Sequence, residues 1–529
     1  MTPKALLLGL AGAGLFVAAL DAYLVVTLLP AMISDVGLTI DRFEQATPLV
    51  TGFLCGYVIA MPLLGAYSDV RGRAPVYALC MVAFALGSAV TATAGLWSLA
   101  GMPWLVAGRV MQGLGGGGLV PLTLALAADL YRNGGRTVAL GSVSALQEAG
   151  SVLGPLYGAT LASAASALGG WRFVFWLNLP LAAICATGLV IASRHRVEAT
   201  DAAPPTDIRD SIARTVDWRS AALLGLGLAL LVLALYPDDP AERATNGLVM
   251  PLGILSLIVL GVYARRQVRS LEPLVPPQLL RSRRFIGVCA ANLLIGAALM
   301  VALVDVPILG RLVFDLNQLA AGLLLTQFLL GVPIGAVLGG LLSRRFGGRP
   351  TAVLGMLFSA GAFLQMSTWQ AGELALRAGP IRPADIALGA CGLGFGLVIA
   401  PLTAAVLELT RAENHGLASS LVVLARVMGM LIGLSGLTAF GLFRFRQILG
   451  TPLLTDPDVR ARVDHLARLV AAAFLQEYRE IFTVAAGLCI LAAVVAFSTM
   501  GGKGSRRPHP AARQAGPPSP QSGEGLVRL

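Results

Sequence analysis

The chain has 529 residues, 56% of them hydrophobic and 13% charged, with a mean hydropathy of +0.77. That excludes an ordinary soluble domain. The formal charge of +11 is spread in short clusters between apolar runs, as in residues that orient a chain in a bilayer. There is no basic face with interleaved aromatics, so a nucleic-acid partner is not expected.

A membrane span needs about 20 apolar residues, and about fourteen such runs follow one another along the chain. Their approximate limits are 5–30, 47–68, 75–97, 103–131, 137–163, 172–193, 219–236, 247–264, 285–310, 319–343, 351–369, 384–408, 416–445 and 478–499. The first begins after Lys4 as a signal peptide would, but it carries Asp21 and ends at Pro30 without a small-residue cleavage site, so it reads as a retained span. The six cysteines, Cys55, Cys80, Cys185, Cys289, Cys391 and Cys489, fall inside apolar runs without CxxC spacing and read as free packing residues. The four histidines, His195, His415, His465 and His509, lie in or beside connecting segments, so no metal site, cofactor or hydrolase triad is expected.

An internal repeat organises these runs. Gly65-Ala-Tyr-Ser-Asp-Val-Arg-Gly-Arg73 after the second run is echoed by Gly340-Leu-Leu-Ser-Arg-Arg-Phe-Gly-Gly348, with Arg349, after the tenth. The duplication predicts an all-α membrane protein with two six-span halves, residues 1–197 and 284–500. Residues 198–283 then hold a linker, containing Pro204 and Pro205, and two inserted spans. The tail, 501–529, is rich in Pro, Gly, Ser and Arg and is expected to be disordered. With the N-terminus inside, about 25 of the 39 Lys and Arg fall on the cytoplasmic side and about 12 outside. Both termini are then cytoplasmic. Two clusters carry much of this bias: Arg265, Arg266, Arg269, Arg281, Arg283 and Arg284, then Arg344, Arg345 and Arg349. Contact with lipid headgroups is a compatible second reading of both. Between about 445 and 478, Val463, Leu466, Val470 and Phe474 recur at helical spacing, which predicts a periplasmic extension of the last two spans or a helix lying on the membrane surface.

Charges within spans are few, and each costs about 2.5–3.5 kcal/mol at the bilayer centre. At 1.5 Å per residue, Glu148 lies about 18 Å into the fifth run and Arg426 about 15 Å into the thirteenth, the same level from opposite halves. They form a candidate switch that closes as an ion pair and opens when Glu148 takes a proton; a permanent structural pair, or no contact, are the alternatives. Asp21, about 24 Å into the first run, shares a depth with Arg109, about 9 Å into the fourth, and the two are a second candidate pair. Asp21 is the second candidate proton site, and Arg109 and Asp305 are supporting cavity charges, with a solvated interfacial position as the other reading of Asp305. The small residues Gly113, Gly115, Gly116, Gly117, Gly118, Gly150, Gly154, Pro155 and Gly158 have a packing explanation.

Three signatures are similar to those of major facilitator drug exporters: the gating loop with Gly65, Asp69, Arg71, Gly72 and Arg73; Arg109 with Gln112 and Gly113; and GSVLGPLYGA at 150–159. The third resembles the antiporter motif except at Ala159. Leu20, Asp21 and Pro30, with Trp171, Arg172, Asn178 and Pro180, resemble the fourteen-span drug:proton antiporter branch. PLTLALAADL at 121–130, HGLASS at 415–420 and ARVMGMLIG at 425–433 are similar to the triacylglyceride exporters of mycobacteria. This resemblance implies a major facilitator fold and proton-driven export of a triacylglyceride-like lipid from the inner membrane. It further implies Asp21, Glu148 and Arg426 as the functional charges, a periplasmic lipid-carrying lipoprotein as partner, and last helices that project into the periplasm. A multidrug:proton antiporter exporting amphipathic drugs or dyes is the alternative. Val70 and Ala74 depart from the usual loop, and Arg344 stands where the second copy would carry its acid. Tyr23 and Val26 replace the usual Thr and Asn, which makes the expected cavity less polar and favours a lipid.

Overall fold

The computed structural model describes residues 3–35, 47–96, 101–132, 134–166, 169–198, 217–236, 247–270, 273–316, 323–370, 372, 382–411, 414–449 and 459–500. In hydrocarbon every backbone N–H and C=O must be satisfied within its own segment, and the described residues accordingly fold into long helices without strands. The first six are α1 (Pro3–Asp35), α2 (Thr47–Arg71), α3 (Arg73–Ala92), α4 (Gly101–Leu130), α5 (Arg136–Ala164) and α6 (Trp171–Glu198). Next come α7 (Trp218–Leu235) and α8 (Val249–Arg269). The final six are α9 (Arg283–Met300), α10 (Thr326–Phe346), α11 (Gly348–Met366), α12 (Pro383–Leu409), α13 (His415–Leu449) and α14 (Val459–Thr499). Among them 11 are long and apolar enough to cross a membrane, so this is a multi-pass membrane protein. Helices α5, α7 and α11 are shorter in apolar length or less apolar.

Packing repeats the sequence duplication. In the first six helices, α4 lies against α2 and α3, α1 against α5 and α6, and α3 against α6. In the last six, α12 lies against α10 and α11, α9 against α13 and α14, and α11 against α14. The halves meet reciprocally, α5 on α10 and α2 on α13. Helix α7 packs on α2 and on α8, whose side chains are otherwise outward, with Leu257 and Met250 each 70% exposed. Such a surface suits lipid rather than water.

Glycine permits these approaches. A Cβ on Gly113 or Gly117 of α4 would stand 2.1 or 2.2 Å from the Phe53 or Tyr57 carbonyl oxygen of α2. The second half repeats the arrangement, with Gly392 and Gly396 of α12 at 2.0 and 2.1 Å from the Phe328 and Val332 oxygens of α10. The stretch Gly115–Gly118 is therefore a helix seam, with α3 on its other side at Cys80 and Phe84. The loops of the two copies also share a turn: Gly72 (φ +89°) and Gly347 (φ +100°) both have the positive φ that glycine adopts without steric penalty.

Helix α9 is not regular throughout. It passes through a π-turn at Val301–Asp305 and resumes as Val306–Leu312. Pro307, lacking an N–H, explains where the ladder shifts. The last two helices are long, with 35 residues in α13 and 41 in α14, or about 52 and 62 Å at 1.5 Å per residue. The side chains of Val463, Leu466 and Val470, the linker positions 199–216 and the tail 501–529 lie outside the described residues.

Replacing Gly117 or Gly392 with Val would drive α4 from α2, or α12 from α10. Overpacking costs typically 1–3 kcal/mol and more against rigid backbone, so thermal unfolding in detergent followed by size-exclusion fluorescence should show each variant melting several degrees lower (about 2–4 °C per kcal/mol in a large domain). An unchanged melting curve would contradict the seam.

Candidate functional site

Asp21 of α1 is fully buried, and its carboxylate is saturated by the first bundle. Arg109 Nη1 of α4 donates to Oδ2 at 2.8 Å, while Asn178 Nδ2 of α6 and Gln112 Nε2 of α4 donate to Oδ1 at 2.7 and 3.1 Å. Gln112 Nε2 also reaches Ser88 Oγ of α3 at 2.9 Å, and the Arg109 guanidinium lies 4.4 Å from the Phe53 ring centroid. Thus four helices converge on one carboxylate. Arg109, only 1% exposed, faces the interior of its own bundle, which corrects the expectation of a cavity charge. Asp21 is sealed with it.

Glu148 and Arg426 differ in every respect. Arg426 Nη1 of α13 stands 3.7 Å from Glu148 Oε1 of α5, with side chains 12% and 22% exposed. That distance makes an ion pair but exceeds a normal hydrogen bond. Tyr23 and Tyr57 are electrostatic neighbours of both charges, and Tyr23 is 38% exposed. The pair therefore bridges the bundles without being sealed by them. It also straddles the internal symmetry. Glu148 precedes Gly150 and Gly154, which press α5 onto α1, where added Cβ atoms would meet the Phe16 and Leu20 oxygens at 2.7 and 2.6 Å. Arg426 precedes Gly429 and Gly433, which press α13 onto α9 at the Leu293 and Ala297 oxygens, 2.0 and 2.6 Å away. Pro155 lies inside α5 and Gly158 continues its seam against Leu24. The antiporter-like motif is thus the packing face that sets the height of Glu148.

On the face that carries the start of α1 and the end of α14, the bundles touch directly. Asp69 at the end of α2 accepts from the Gly416 and Leu417 amides at 2.9 Å each, occupying the N-terminus of α13. Arg73 steadies Asp69 at 2.5 Å and reaches Asp129 at 3.4 Å. Asp129 in turn meets His415 Nδ1 at 2.7 Å, and Arg136 Nη2 lies 3.3 Å from His415 Nε2, which fits a tautomer with hydrogen on Nδ1. Gly65 and Gly416 admit the close crossing, since a Cβ on either would come within 2.8 Å of the other's carbonyl. Gly72 supplies the turn, and Arg71 is exposed. The bundles are shut on this face, whereas Glu148, Arg426 and Tyr23 retain exposure above it.

Asp305 was expected in the outer interface or the cavity; it terminates the π-turn of α9, half-buried, with Glu477 of α14 as its charged neighbour. Glu477 is 6% exposed and its Oε2 has no hydrogen-bond partner. Sequence reasoning did not single out Glu477, nor Ser88, Asp129 and Arg136. A carboxylate in the expected outer segment and a serine in an apolar run carry no signal until helices are packed. Among the described residues no group of three or more His, Cys, Asp or Glu side chains is placed to hold a metal.

A helical membrane protein whose two repeated bundles close on one face around an interior charge pair is built as a transporter. The sequence profile of the Major Facilitator Superfamily matches residues 11–213 and 208–434, and the chain belongs to that superfamily; it is a transporter and not an enzyme. The Mycolicibacterium hassiacum triacylglyceride transporter is 37% identical over 96% of this chain and 93% of its own. The triacylglyceride transporter of Mycobacterium tuberculosis is 37% identical, over 92% of each chain. In fold, the chain resembles a proton:xylose symporter at TM-score 0.58, with 14% identity over 94% of this chain and 96% of the other. It also resembles a human organic anion transporter at TM-score 0.57, with 19% identity over 94% and 100%.

The two ion pairs should respond differently to neutralisation. Asp21→Asn leaves Arg109 buried without its counter-charge, at about 3–5 kcal/mol. Glu148→Gln disturbs a partly solvated pair, at about 1 kcal/mol or less. Melting curves of the purified variants should therefore fall sharply for the first and little for the second.

Proposed function

We propose that this transporter exports a bulky neutral lipid of the triacylglyceride type from the inner membrane toward the periplasm, by proton-coupled alternating access. The observation that carries this reading is the loose, partly exposed Glu148–Arg426 pair, 3.7 Å apart, linking α5 of one bundle to α13 of the other. Protonation of Glu148 removes the attraction and leaves Arg426 to the cavity, so the bundles are free to part; deprotonation draws them together. Asp21 lacks that access. Its fully saturated shell fits the role of holding α1, α3, α4 and α6 as one rigid unit, with Glu148 as the carboxylate that exchanges protons with the cavity.

The names of the mycobacterial relatives support the lipid as cargo, and the tyrosines flanking the pair support a cavity of low polarity. We further read α5, α7 and α11 as spans, which gives fourteen in all, with both termini cytoplasmic as the arginine bias requires. The lengths of α13 and α14 favour a projection into the periplasm, where an apolar cargo leaves along protein, toward a lipid-carrying lipoprotein. No cofactor is needed; the proton gradient supplies the energy. The second reading, a multidrug:proton antiporter for amphipathic drugs or dyes, shares the same coupling pair and is favoured by the antiporter-like glycines on α5.

Proteoliposomes loaded with labelled triacylglyceride or ethidium, with and without an imposed proton gradient, separate the two. Lipid movement that needs the gradient and falls at least about tenfold in Glu148→Gln and Arg426→Ala, equivalent to about 1.4 kcal/mol of coupling, is the expected result. Dye movement without lipid movement would replace the first reading by the second. Gradient-independent lipid movement unchanged in both variants would remove the coupling role.

A further inference from the structure

The face on which the bundles close contains a cavity of about 430 Å³ lined by Arg132, Arg136, Leu407, Glu408, Thr410, Arg411 and His415. Part of its lining is repeated. Asp129, Arg132 and Arg136 around the α4–α5 connection recur at identical spacing as Glu408, Arg411 and His415 around the α12–α13 connection. Arg132 and Arg136 of one half thus face their counterparts Arg411 and His415 of the other in a single pocket.

Among the described residues the charges do not balance. Asp129 is already engaged by Arg73 and His415. Glu408 is the remaining carboxylate in the lining, against three guanidinium groups. The side chains of Arg132 and Arg411 have no hydrogen-bond or ion-pair partner among the described residues, while Arg136 Nε is buried without one. Helix geometry adds to the imbalance. In the first copy Asp69 of α2 caps the N-terminus of α13. In the second copy α10 carries Arg344 at the matching place, and α5 begins at Arg136 behind Gly135 with no side-chain cap and no acid in its first turn. A 29-residue helix thus opens its uncapped amides beside the arginines, and such an end favours an anion.

We propose that this cavity is an anion site that takes a phosphate group, from an acidic phospholipid headgroup or from free phosphate, and ties the two bundles together in the closed state of this face. Arg132 and Arg411 come from opposite bundles, so a tetrahedral dianion or a phosphodiester between them joins what Asp69 joins on the other side of the axis. When the bundles part on this face, the two arginines separate and the site ceases to exist. The anion would therefore act as a ligand of one conformation, shifting the population toward it. The proposal takes from the functional reading only that the two bundles rock; it does not depend on what is carried.

The test uses the purified full chain. Native mass spectrometry from detergent, with phosphatidylglycerol offered beside phosphatidylcholine, reads the headgroup arm; thermal unfolding with inorganic phosphate against chloride at equal ionic strength reads the free-anion arm. Arg132→Gln combined with Arg411→Gln should lower retention of phosphatidylglycerol, or the phosphate-induced rise in Tm, by about tenfold in apparent affinity, the scale of a lost charge-assisted contact. Glu408→Gln removes the opposing charge and should raise the same quantity several-fold, which a merely misfolded variant does not do. Phosphatidylglycerol retention without phosphate protection assigns the source to lipid, and the converse to the free ion. Equal retention in the wild type and both variants, with phosphate and chloride indistinguishable, would overturn the proposal. Triacylglyceride transport in the same variants is scored separately, so loss of the anion site with transport intact distinguishes this failure from failure of the transport reading.

Discussion

The cost of a charge in hydrocarbon, about 2.5–3.5 kcal/mol at the bilayer centre, disciplines this structure more than any other term. Three solutions to that cost appear, and each does something different. Asp21 and Arg109 cancel one another inside a shell of amides and a hydroxyl, which converts two expensive groups into a bolt through four helices. Glu148 and Arg426 approach only to 3.7 Å, across the seam between bundles and partly exposed. Asp69 and its neighbours sit at the helix ends, where charge is cheap, and use it to latch one face. Burial and bonding thus sort the charges: the Asp21–Arg109 pair is sealed and directly hydrogen-bonded, and the Glu148–Arg426 pair is partly exposed and 3.7 Å apart.

Duplication gives the second constraint, and its imperfections carry the specificity. The glycine seams of α4 on α2 and α12 on α10 are near copies, as are those of α5 on α1 and α13 on α9. Backbone packing has thus been kept alike in both halves. Side-chain chemistry has diverged where the halves face one another. Glu148 on α5 meets Arg426 on α13, one residue away from the repeat-equivalent Val427, so corresponding helices bring opposite charges together across the axis. Asp69 is answered by Arg344, so one helix terminus is capped from within and the other is left to an outside anion.

The succession of apolar helices, the repeat, the seams and the latitude of Glu148 against Arg426 were legible from residues because each is one-dimensional. A run of apolar residues has a length, a motif recurs at a spacing, and depth follows from 1.5 Å per residue. The pairing of Asp21 with Arg109 was within reach of the same arithmetic, but its burial was not. Depth does not say which way a side chain points, and only the convergence of Ser88, Gln112 and Asn178 from three helices made Asp21 a sealed residue rather than a cavity acid. Glu477 beside Asp305 and the Asp129–His415–Arg136 chain escaped for a related reason: their members lie far apart in sequence.

The sequence by itself determined a polytopic helical chain with two repeated halves, because hydrophobicity and periodicity are local properties that hydrocarbon reads directly. It also determined which few charges had to be explained. Tertiary structure alone decided which of them are buried bolts, which is the open pair and which latch a face, because solvation and partner geometry arise only when helices distant in sequence are brought side by side.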